Sequence, residues 1–255
     1  MLVLHPKVNL VATITQGETL LTDSASLCGP LYTKSNISCL NCFSTEHLQH
    51  CSSCSWPVCS ESCETGRWHS IECGALASVR DKIIIPLEND KVFNLISCIT
   101  PLRLLLLRKS NPDDWNVLNT FMDHSSERDE KDGQKWKLYE LLVVNFVRTC
   151  LGLDYSELEI RSAIGIIRTN TVKLEQRTHL GEAVAMYPTY SFANHSCICN
   201  TFTRKHKDGR LELIAQSDIQ AGDQIWTRYT IPQIGSYQRI QDIQKTWHFV
   251  CTCVR

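Results

Sequence analysis

The chain has no long apolar run and almost no net charge. Its longest apolar stretch, Leu102 to Leu107, is interrupted by Arg103, whereas a membrane-spanning helix needs about 20 apolar residues, so the sequence predicts a soluble protein. Lys and Arg total 26 against 27 Asp and Glu, so charge indicates neither a nucleic acid nor an anionic membrane as a partner. An apolar fraction of 43% over 255 residues still allows a substantial core.

The N-terminus also lacks the pattern of an export signal. His5, Pro6 and Lys7 stand where a secretory signal would have an unbroken apolar segment. We therefore expect an intracellular protein of the cytoplasm, the nucleus or both, and no basic cluster is dense enough to favour the nucleus.

Cysteine, by contrast, is abundant, with 14 residues. The spacing Cys-x2-Cys, Cys-x2-Cys, Cys-x3-Cys and His-x3-Cys defines eight candidate ligands: Cys39, Cys42, Cys51, Cys54, Cys59, Cys63, His69 and Cys73. Seven thiolates and one imidazole fill two tetrahedral zinc sites. A disulfide framework is the alternative, but it needs an oxidising compartment and leaves His69 and an odd thiol unexplained.

The ligand series resembles the MYND zinc finger at every position. The resemblance implies an interleaved pairing, with one ion held by Cys39, Cys42, Cys59 and Cys63 and the other by Cys51, Cys54, His69 and Cys73. Four protein ligands leave no position for a reactive water, so both zinc ions would be structural. MYND fingers also bind proline-containing peptides, and such a ligand stands as an alternative to simple packing beside a neighbouring domain.

Around the finger, periodicity predicts strands and helices. Two β-rich runs in residues 10–21 flank Gln16–Gly17, which predicts a hairpin. Apolar residues recur at helical spacing from Trp136 to Cys150. The charged run 125–134 lacks apolar anchors and predicts a solvated loop.

Further along the chain, a capping-box pattern at Ser156–Glu159 predicts the start of another helix. Strand signals return at 211–215 and at 224–230, on either side of a turn at 221–223. A helical tail is expected from 236 to 249.

Two motifs near the C-terminal end carry the candidate chemistry. Asn194-His195-Ser196-Cys197 is followed about thirty residues later by the segment from Gly222 to Tyr229, and then by Cys251-x-Cys253. Each alone is an ordinary turn or hairpin pattern. In this order, behind a MYND-like finger, they resemble the C-terminal half of the SET domain in SET-and-MYND (SMYD) protein-lysine methyltransferases. The segments Leu10–Thr13, Gly17–Glu18 and Gly29–Pro30 are most similar to the arthropod branch.

This resemblance implies an α+β fold, in which a split, β-rich SET domain carries an inserted MYND zinc finger and a helical insert. The expected order is the N-terminal part of the SET domain (1–38), the finger (39–73), the helical insert (74–168), the catalytic C-terminal part of the SET domain (169–232), and a truncated post-SET helix with a Cys-x-Cys tail (233–255).

The implied activity is transfer of a methyl group from S-adenosylmethionine to a lysine of a protein or peptide, a reaction whose rate comes largely from positioning. By resemblance, Asn194 and His195 would bind the cofactor, with Asn170 as a further candidate. Tyr229 would lie at the methyl-transfer channel, beside the cofactor, where its hydroxyl would orient the amine.

The family's third zinc site is matched in part. Cys197, Cys251 and Cys253 occupy three ligand positions, and the fourth would fall one position beyond Arg255. A truncated tail is one explanation. The other is that Cys199 completes the tetrahedron.

Two further positions depart from the family pattern. Lys7–Asn9 stand where active members have a glycine pattern that lets the backbone approach the cofactor, and no glycine precedes Gly17. Trp247 stands where relatives often have a tyrosine in the lysine channel. An indole donates a hydrogen bond but accepts none, although its face still suits a cation.

Two functions therefore remain open. Asn194, His195 and Tyr229 favour a methyltransferase. Lys7–Asn9, Trp247 and the missing fourth tail ligand favour a catalytically degenerate relative that acts as an interaction adaptor or transcriptional regulator. The sequence does not identify the lysine substrate or the degree of methylation.

Overall fold

The computed structural model of the protein describes residues 11–31, 37–87, 93–131, 134–174, 181–206, 208–231 and 233–253. Lys7–Asn9 lie outside these residues, as does the predicted strand residue Leu10. Within the described chain, no helix is both long and apolar enough to cross a membrane.

The strands are short. They are β1 (Thr19–Ser24), β2 (Leu27–Pro30), β3 (Gln49–His50), β4 (Pro57–Val58), β5 (Val172–Lys173), β6 (Ala183–Met186), β7 (Asn194–His195), β8 (Thr201–Lys205), β9 (Arg210–Ala215) and β10 (Trp226–Thr227).

The helices lie mostly in the middle of the chain. They are α1 (Glu61–Glu64), α2 (His69–Ala77), α3 (Phe93–Ile96), α4 (Ile99–Ser110), α5 (Pro112–Leu118), α6 (Ser125–Lys131), α7 (Gln134–Asn145), α8 (Glu157–Asn170) and α9 (Ser236–Trp247), with a π-helical turn at Phe146–Cys150 and a 3-10 turn at Tyr190–Phe192.

The described residues divide into two compact units. The first unit lies within Met1–Ser26, Arg168–Asn170 and Tyr187–Arg255, and the second within Leu27–Ile167 and Thr171–Met186. The first unit contains an antiparallel sheet in the order β1-β9-β8 and a parallel pair, β7 with β10. The second contains an antiparallel sheet in the order β2-β6-β5, the β3-β4 hairpin, and helices α1 to α7.

In the second unit, β2 approaches α4 closely at Gly29. A Cβ atom on Gly29 would lie 2.2 Å from Thr100 Oγ1, which is far inside contact distance. The Thr100 hydroxyl donates to Pro30 O at 2.7 Å and so fastens α4 to the strand. Only glycine fits this approach, which gives Gly29–Pro30 a packing role.

The predicted hairpin in residues 10–21 is wrong. Ile14 forms an isolated bridge with Ile219, and β1 pairs with β9 rather than with the run before it. Gly17 does provide the expected turn, with φ +88°, but its N–H donates to Ala215 O. Both runs therefore pair with distant segments, which local periodicity does not report.

The predicted solvated loop at 125–134 is also wrong in part, because α6 covers Ser125–Lys131. Ser125 N donates to Asp123 Oδ1 at 3.0 Å at the start of this helix. Arg128, 2% exposed, donates to Arg161 O at 3.1 Å. A buried arginine thus anchors a helix that has no apolar anchor in its sequence.

The other helix predictions are confirmed, with changed bounds. The Trp136–Cys150 pattern forms α7 and then the π-helical turn. A π-helical turn advances less than 100° per residue, so Cys150 is exposed although the pattern placed it on the apolar face. The capping box of α8 is present, with both hydrogen bonds between Ser156 and Glu159. The tail helix α9 ends at Trp247, and His248 follows with φ +57°.

The C-terminal strand signals are confirmed for β9, whereas the predicted strand 224–230 shortens to β10. Gly222 has φ +91°, and Asp223 N donates to Gln220 O at 3.0 Å, which closes the expected turn. The shortening leaves Tyr229 outside the strand, two residues after its end.

Candidate functional site

The first cysteine group comprises four thiols, whose sulfur atoms all lie within 4.8 Å of one another: Cys39, Cys42, Cys59 and Cys63. The sulfur atoms of Cys42 and Cys59 are 3.4 Å apart, and those of Cys59 and Cys63 are 3.6 Å apart. Four ligands at bonds of about 2.3 Å around a tetrahedral zinc would be separated by about 3.8 Å. These thiols therefore fit a tetrahedral zinc site.

Local backbone geometry places the first two of these thiols. Phe43 N donates to Cys39 O at 2.9 Å, and Phe43 takes a left-handed conformation with φ +64°. Asn41 N lies 3.4 Å from Cys39 Sγ and donates to it. This tight turn directs the sulfur atoms of Cys39 and Cys42 to the same side of the turn. A side-chain hydrogen bond from Cys42 lowers the pKa of the Cys39 thiol, and the same bond raises the pKa of Cys42, so the proton of this pair lies on Cys42.

The second group brings together three thiols and one imidazole, again with all four ligand atoms within 4.8 Å: Cys51, Cys54, His69 and Cys73. Cys51 and Cys73 sulfurs are 3.8 Å apart, and His69 Nε2 lies 3.5 Å from Cys54 Sγ. His69 and Cys73 are four residues apart in α2 and so lie on one helical face. This group also fits a tetrahedral zinc ion.

A carboxylate fixes the orientation of the His69 ring. His69 Nδ1 lies 3.0 Å from Glu72 Oε1 and donates to it, which leaves Nε2 free to face the cysteines. Burial disfavours the protonated ring, but the hydrogen bond and the charge of Glu72 outweigh burial and raise the pKa of His69.

The grouping of the eight residues is the interleaved one that the MYND resemblance implies. All fourteen cysteines lie in the described part of the chain and are free thiols, so the geometry gives no support to the disulfide alternative. Burial raises the pKa of Cys28 to about 12 and raises that of Cys98 as well. These two thiols lie outside the groups and remain protonated.

In the first unit, Asn194 and His195, the first two residues of the Asn-His-Ser-Cys motif, form β7 beside β10. Asn194 pairs with Trp226, and His195 pairs with Thr227. Asn194 and His195 are 4% and 7% exposed. The parallel pairing brings the two sequence motifs to the same place, as the resemblance predicts.

Tyr229 is attached to this motif by both its backbone and its hydroxyl. Its N–H donates to His195 Nδ1 at 3.1 Å, and its hydroxyl donates to Ala193 O at 2.9 Å. Burial, followed by the neighbouring Tyr190, raises the pKa of Tyr229, so the hydroxyl stays protonated at neutral pH. The Tyr229 hydroxyl is therefore held as a hydrogen-bond donor to Ala193, the residue directly before Asn194.

An aromatic cluster surrounds the tyrosine ring. The ring centroid of Tyr229 lies 5.3 Å from that of His195 and 4.9 Å from that of Trp247. Trp247 Nε1 donates to Thr169 O at 2.9 Å, and Thr169 directly precedes the buried Asn170 at the end of α8. The candidate residues from three distant stretches of sequence thus lie in one unit.

The chain belongs to the SET-domain family. The model of the SET domain matches residues 50–230, which is well over half of the chain. The match begins inside the cysteine-rich segment, so the predicted domain boundaries stay predictions.

Its relatives confirm the SET-and-MYND resemblance. The chain is 24% identical to a histone-lysine N-methyltransferase, ASHR1, of Arabidopsis thaliana over 94% of this chain and 50% of the relative. It is 25% identical to the N-lysine methyltransferase SMYD2-A of Xenopus laevis, over 84% of this chain and 50% of the relative. It is also 25% identical to the SET domain-containing protein SmydA-8, isoform A, of Drosophila melanogaster, over 95% and 52%.

The chain spans about half the length of these curated relatives. The similar identities to plant, frog and fly proteins leave the arthropod branch a prediction. A solved structure titled as the SET domain of LSMT bound to lysine and AdoHcy shares 11% identity, with a TM-score of 0.46 over 96% of this chain and 50% of that one.

A third candidate metal group of this SET domain contains His195, Cys197, Cys251 and Cys253, with ligand atoms within 4.8 Å of one another. The hypothesis that Cys199 completes this group has no support in the geometry, because Cys199 is not among the four residues that come together, and its Sγ lies 3.9 Å from Gln216 Oε1 instead.

The hydrogen bonds of His195 define its role in this group. The Tyr229 N–H can only donate, so Nδ1 accepts, and the proton of the neutral ring lies on Nε2. Nε2 is 3.3 Å from Cys197 Sγ and donates to it. Burial, then the charges of Arg239 and Arg228, lower the pKa of His195 to about 4, so the ring is neutral. The group therefore offers three sulfur ligands and one N–H donor.

Several positioning residues of the SET motif carry no sequence signal of their own. Asn200 Oδ1 accepts from Trp226 N at 2.8 Å, and Thr201 Oγ1 donates to Trp226 O at 2.7 Å. These two side chains therefore satisfy the backbone N–H and C=O groups of Trp226 in the short strand β10. Asp23 Oδ2 accepts from the backbone N–H groups of Thr189 and Tyr190, each at 2.8 Å.

Proposed function

We propose that this chain is the SET-and-MYND portion of an S-adenosylmethionine-dependent protein-lysine N-methyltransferase. The observation that carries the proposal is a pair of hydrogen bonds from Tyr229: its backbone N–H donates to His195 Nδ1, and its hydroxyl donates to the carbonyl of Ala193, directly before Asn194. This arrangement places the candidate catalytic tyrosine beside the candidate cofactor residues. The family membership and the methyltransferase names of its relatives support the same reaction class.

In the proposed reaction, bound S-adenosylmethionine supplies an activated methyl group. Asn194 and His195, with Asn170 at the end of α8, would hold the cofactor. The Ala193 carbonyl, already bonded to the Tyr229 hydroxyl, offers negative charge at the place where a cationic centre would lie. The rings of Tyr229 and Trp247 offer aromatic faces to a cation.

We propose that the two finger groups hold structural zinc ions, since their ligand separations fit tetrahedral coordination. A third zinc would be bound by Cys197, Cys251 and Cys253, with a fourth ligand still to be assigned. The proposed partner is a protein or peptide bearing the lysine. A proline-containing peptide ligand of the finger and an intracellular location remain predictions.

The alternative is an interaction adaptor with a degenerate cofactor pocket. It is favoured by Trp247, because an indole has no hydroxyl to place beside that of Tyr229. The single polar atom of Trp247, Nε1, already donates to Thr169 O. A relative with a tyrosine at this position would have two hydroxyls in the channel.

The deciding experiment is calorimetric titration of the zinc-loaded protein with S-adenosylmethionine, repeated on Asn194→Ala. We expect saturable binding that Asn194→Ala weakens by at least about tenfold, or ~1.4 kcal/mol. Asn145→Ala, an exposed asparagine of α7, is the matched control and should bind like the parent. Absence of binding at millimolar cofactor, by a folded protein, would contradict the methyltransferase proposal and favour the adaptor.

A further inference from the structure

A fully buried charged network lies in the second unit, beside the second finger group. The side chains of His69, Glu72 and Arg103 are each 0% exposed. Arg103 in α4 donates to Glu72 through Nε to Oε2 and through Nη2 to Oε1, both at 2.6 Å. Glu72 Oε1 in turn accepts from His69 Nδ1 at 3.0 Å.

Two of the three remaining N–H groups of Arg103 donate to backbone carbonyls in different parts of the unit. Nη1 donates to Cys28 O in β2 at 2.7 Å. Nη2 donates to Leu40 O at 2.5 Å, and Leu40 lies between the first two thiols of the first finger group. Arg103 therefore bonds to the finger at two places and to a strand outside it.

This network is costly unless every member is satisfied. A buried carboxylate and a buried guanidinium lose their hydration, and only good geometry with full hydrogen bonding offsets that loss. Here the two charges make a bidentate pair, and the carboxylate also accepts from a candidate metal ligand. A carboxylate bonded to the far nitrogen of a metal-binding imidazole fixes its tautomer and raises its basicity.

We propose that Glu72 is the positioning residue of the second zinc group and that Arg103, from outside the finger, holds it in place. The inference rests on the proposed zinc occupancy of the finger. It predicts that the zinc affinity of this group depends on α4 and β2 as well as on the finger itself. The ligand spacing Cys-x2-Cys and His-x3-Cys does not predict that zinc affinity depends on residues outside the finger.

The test measures zinc loss from each group separately. The full-length chain is loaded with zinc and exposed to increasing chelator strength, and alkylation of each cysteine is followed by mass spectrometry. In Glu72→Gln, the cysteines of the second group should become reactive at a free zinc concentration about 10–100-fold higher than in the parent. Those of the first group, Cys39, Cys42, Cys59 and Cys63, should be unchanged. Glu64→Gln, whose carboxylate bonds to Ser52, is the control within the same finger.

A second variant guards against misfolding of the first, since Glu72→Gln leaves the buried charge of Arg103 without its partner. Glu72→Gln combined with Arg103→Met removes both charges, an exchange that buried pairs often tolerate. The second group should still lose zinc more readily than the first. In the parent protein, nitrogen-15 NMR should find His69 protonated at Nδ1, a readout that needs no variant.

The outcomes separate the two proposals. A parent chain that binds no zinc overturns the proposed occupancy. If the parent binds zinc and the variants protect Cys51, Cys54 and Cys73 as well as the parent does, the positioning role is overturned. Equal loss from both finger groups assigns the network to general stability and also overturns it, as does a proton on His69 Nε2.

Discussion

At the scale of single residues, Tyr229 has both a sequence motif and a defined hydrogen-bonding geometry. Its ring packs against His195 and Trp247, and its hydroxyl is bonded to Ala193 O. The motif identifies Tyr229 as the candidate tyrosine, but the hydrogen bond from its backbone to His195 Nδ1 has no sequence signature. That bond exists because β10 ends two residues earlier and frees the backbone N–H of Tyr229.

The first prediction concerns this hydroxyl. Tyr229→Phe keeps the ring and loses the donor, so cofactor affinity should change by less than about threefold. Methyl transfer should fall by about 100-fold or more, as for other positioned donors. Tritium transfer from S-adenosylmethionine to a lysine peptide library measures it.

Tyr187→Phe provides the matched control, because it removes a similar hydrogen bond, from Tyr187 to Gly209 O at 2.8 Å. Both variants should lose about 1 kcal/mol of folding stability. Only Tyr229→Phe should lose activity, and equal activities in the two variants would contradict the catalytic role.

At the scale of elements, sequence patterns predicted the helix that is defined by a local interaction. They did not predict the helix that is defined by a distant one. The capping box of α8 was readable because Ser156 and Glu159 are three residues apart. The helix α6 was not, because its anchor is Arg128 bonded to Arg161 O, 33 residues away. Gly29 depends on a distant residue in the same way, because it lies in β2, where Thr100 of α4 leaves no room for a side chain.

The second prediction tests this contact between β2 and α4. Gly29→Ala places a methyl group 2.2 Å from Thr100 Oγ1, so it should lower the free energy of unfolding by about 1–3 kcal/mol, measured by urea denaturation. Combining it with Thr100→Ala removes the clashing hydroxyl and should recover part of that loss. Simple addition of the two single losses would show that the residues are not in contact.

At the scale of the whole molecule, the resemblance predicted the family, the two finger groups and the proximity of the two SET motifs. It did not predict the division into two units. The strands β1 and β2 are separated by only Ala25 and Ser26, yet β1 pairs with β9 and β2 pairs with β6. Which distant strand each one joins depends on long-range packing, and neither strand's own residues encode that choice.

The last prediction concerns removal of the metal from the proposed finger. Structural zinc contributes about 10–16 kcal/mol in finger peptides at neutral pH, which rivals the whole stability of a typical domain, about 5–15 kcal/mol. A strong chelator should therefore open residues 39–73, and trypsin should cut after Arg67, between α1 and α2, at least about ten times faster. Arg210, in the β1-β9-β8 sheet of the first unit, should stay protected on the same timescale. Added zinc should restore protection at Arg67, because the ligands are free thiols that can bind again. Unchanged cleavage at Arg67 in a demonstrably zinc-free chain would mean that packing alone holds the finger, and the proposed structural role of its zinc would then be wrong.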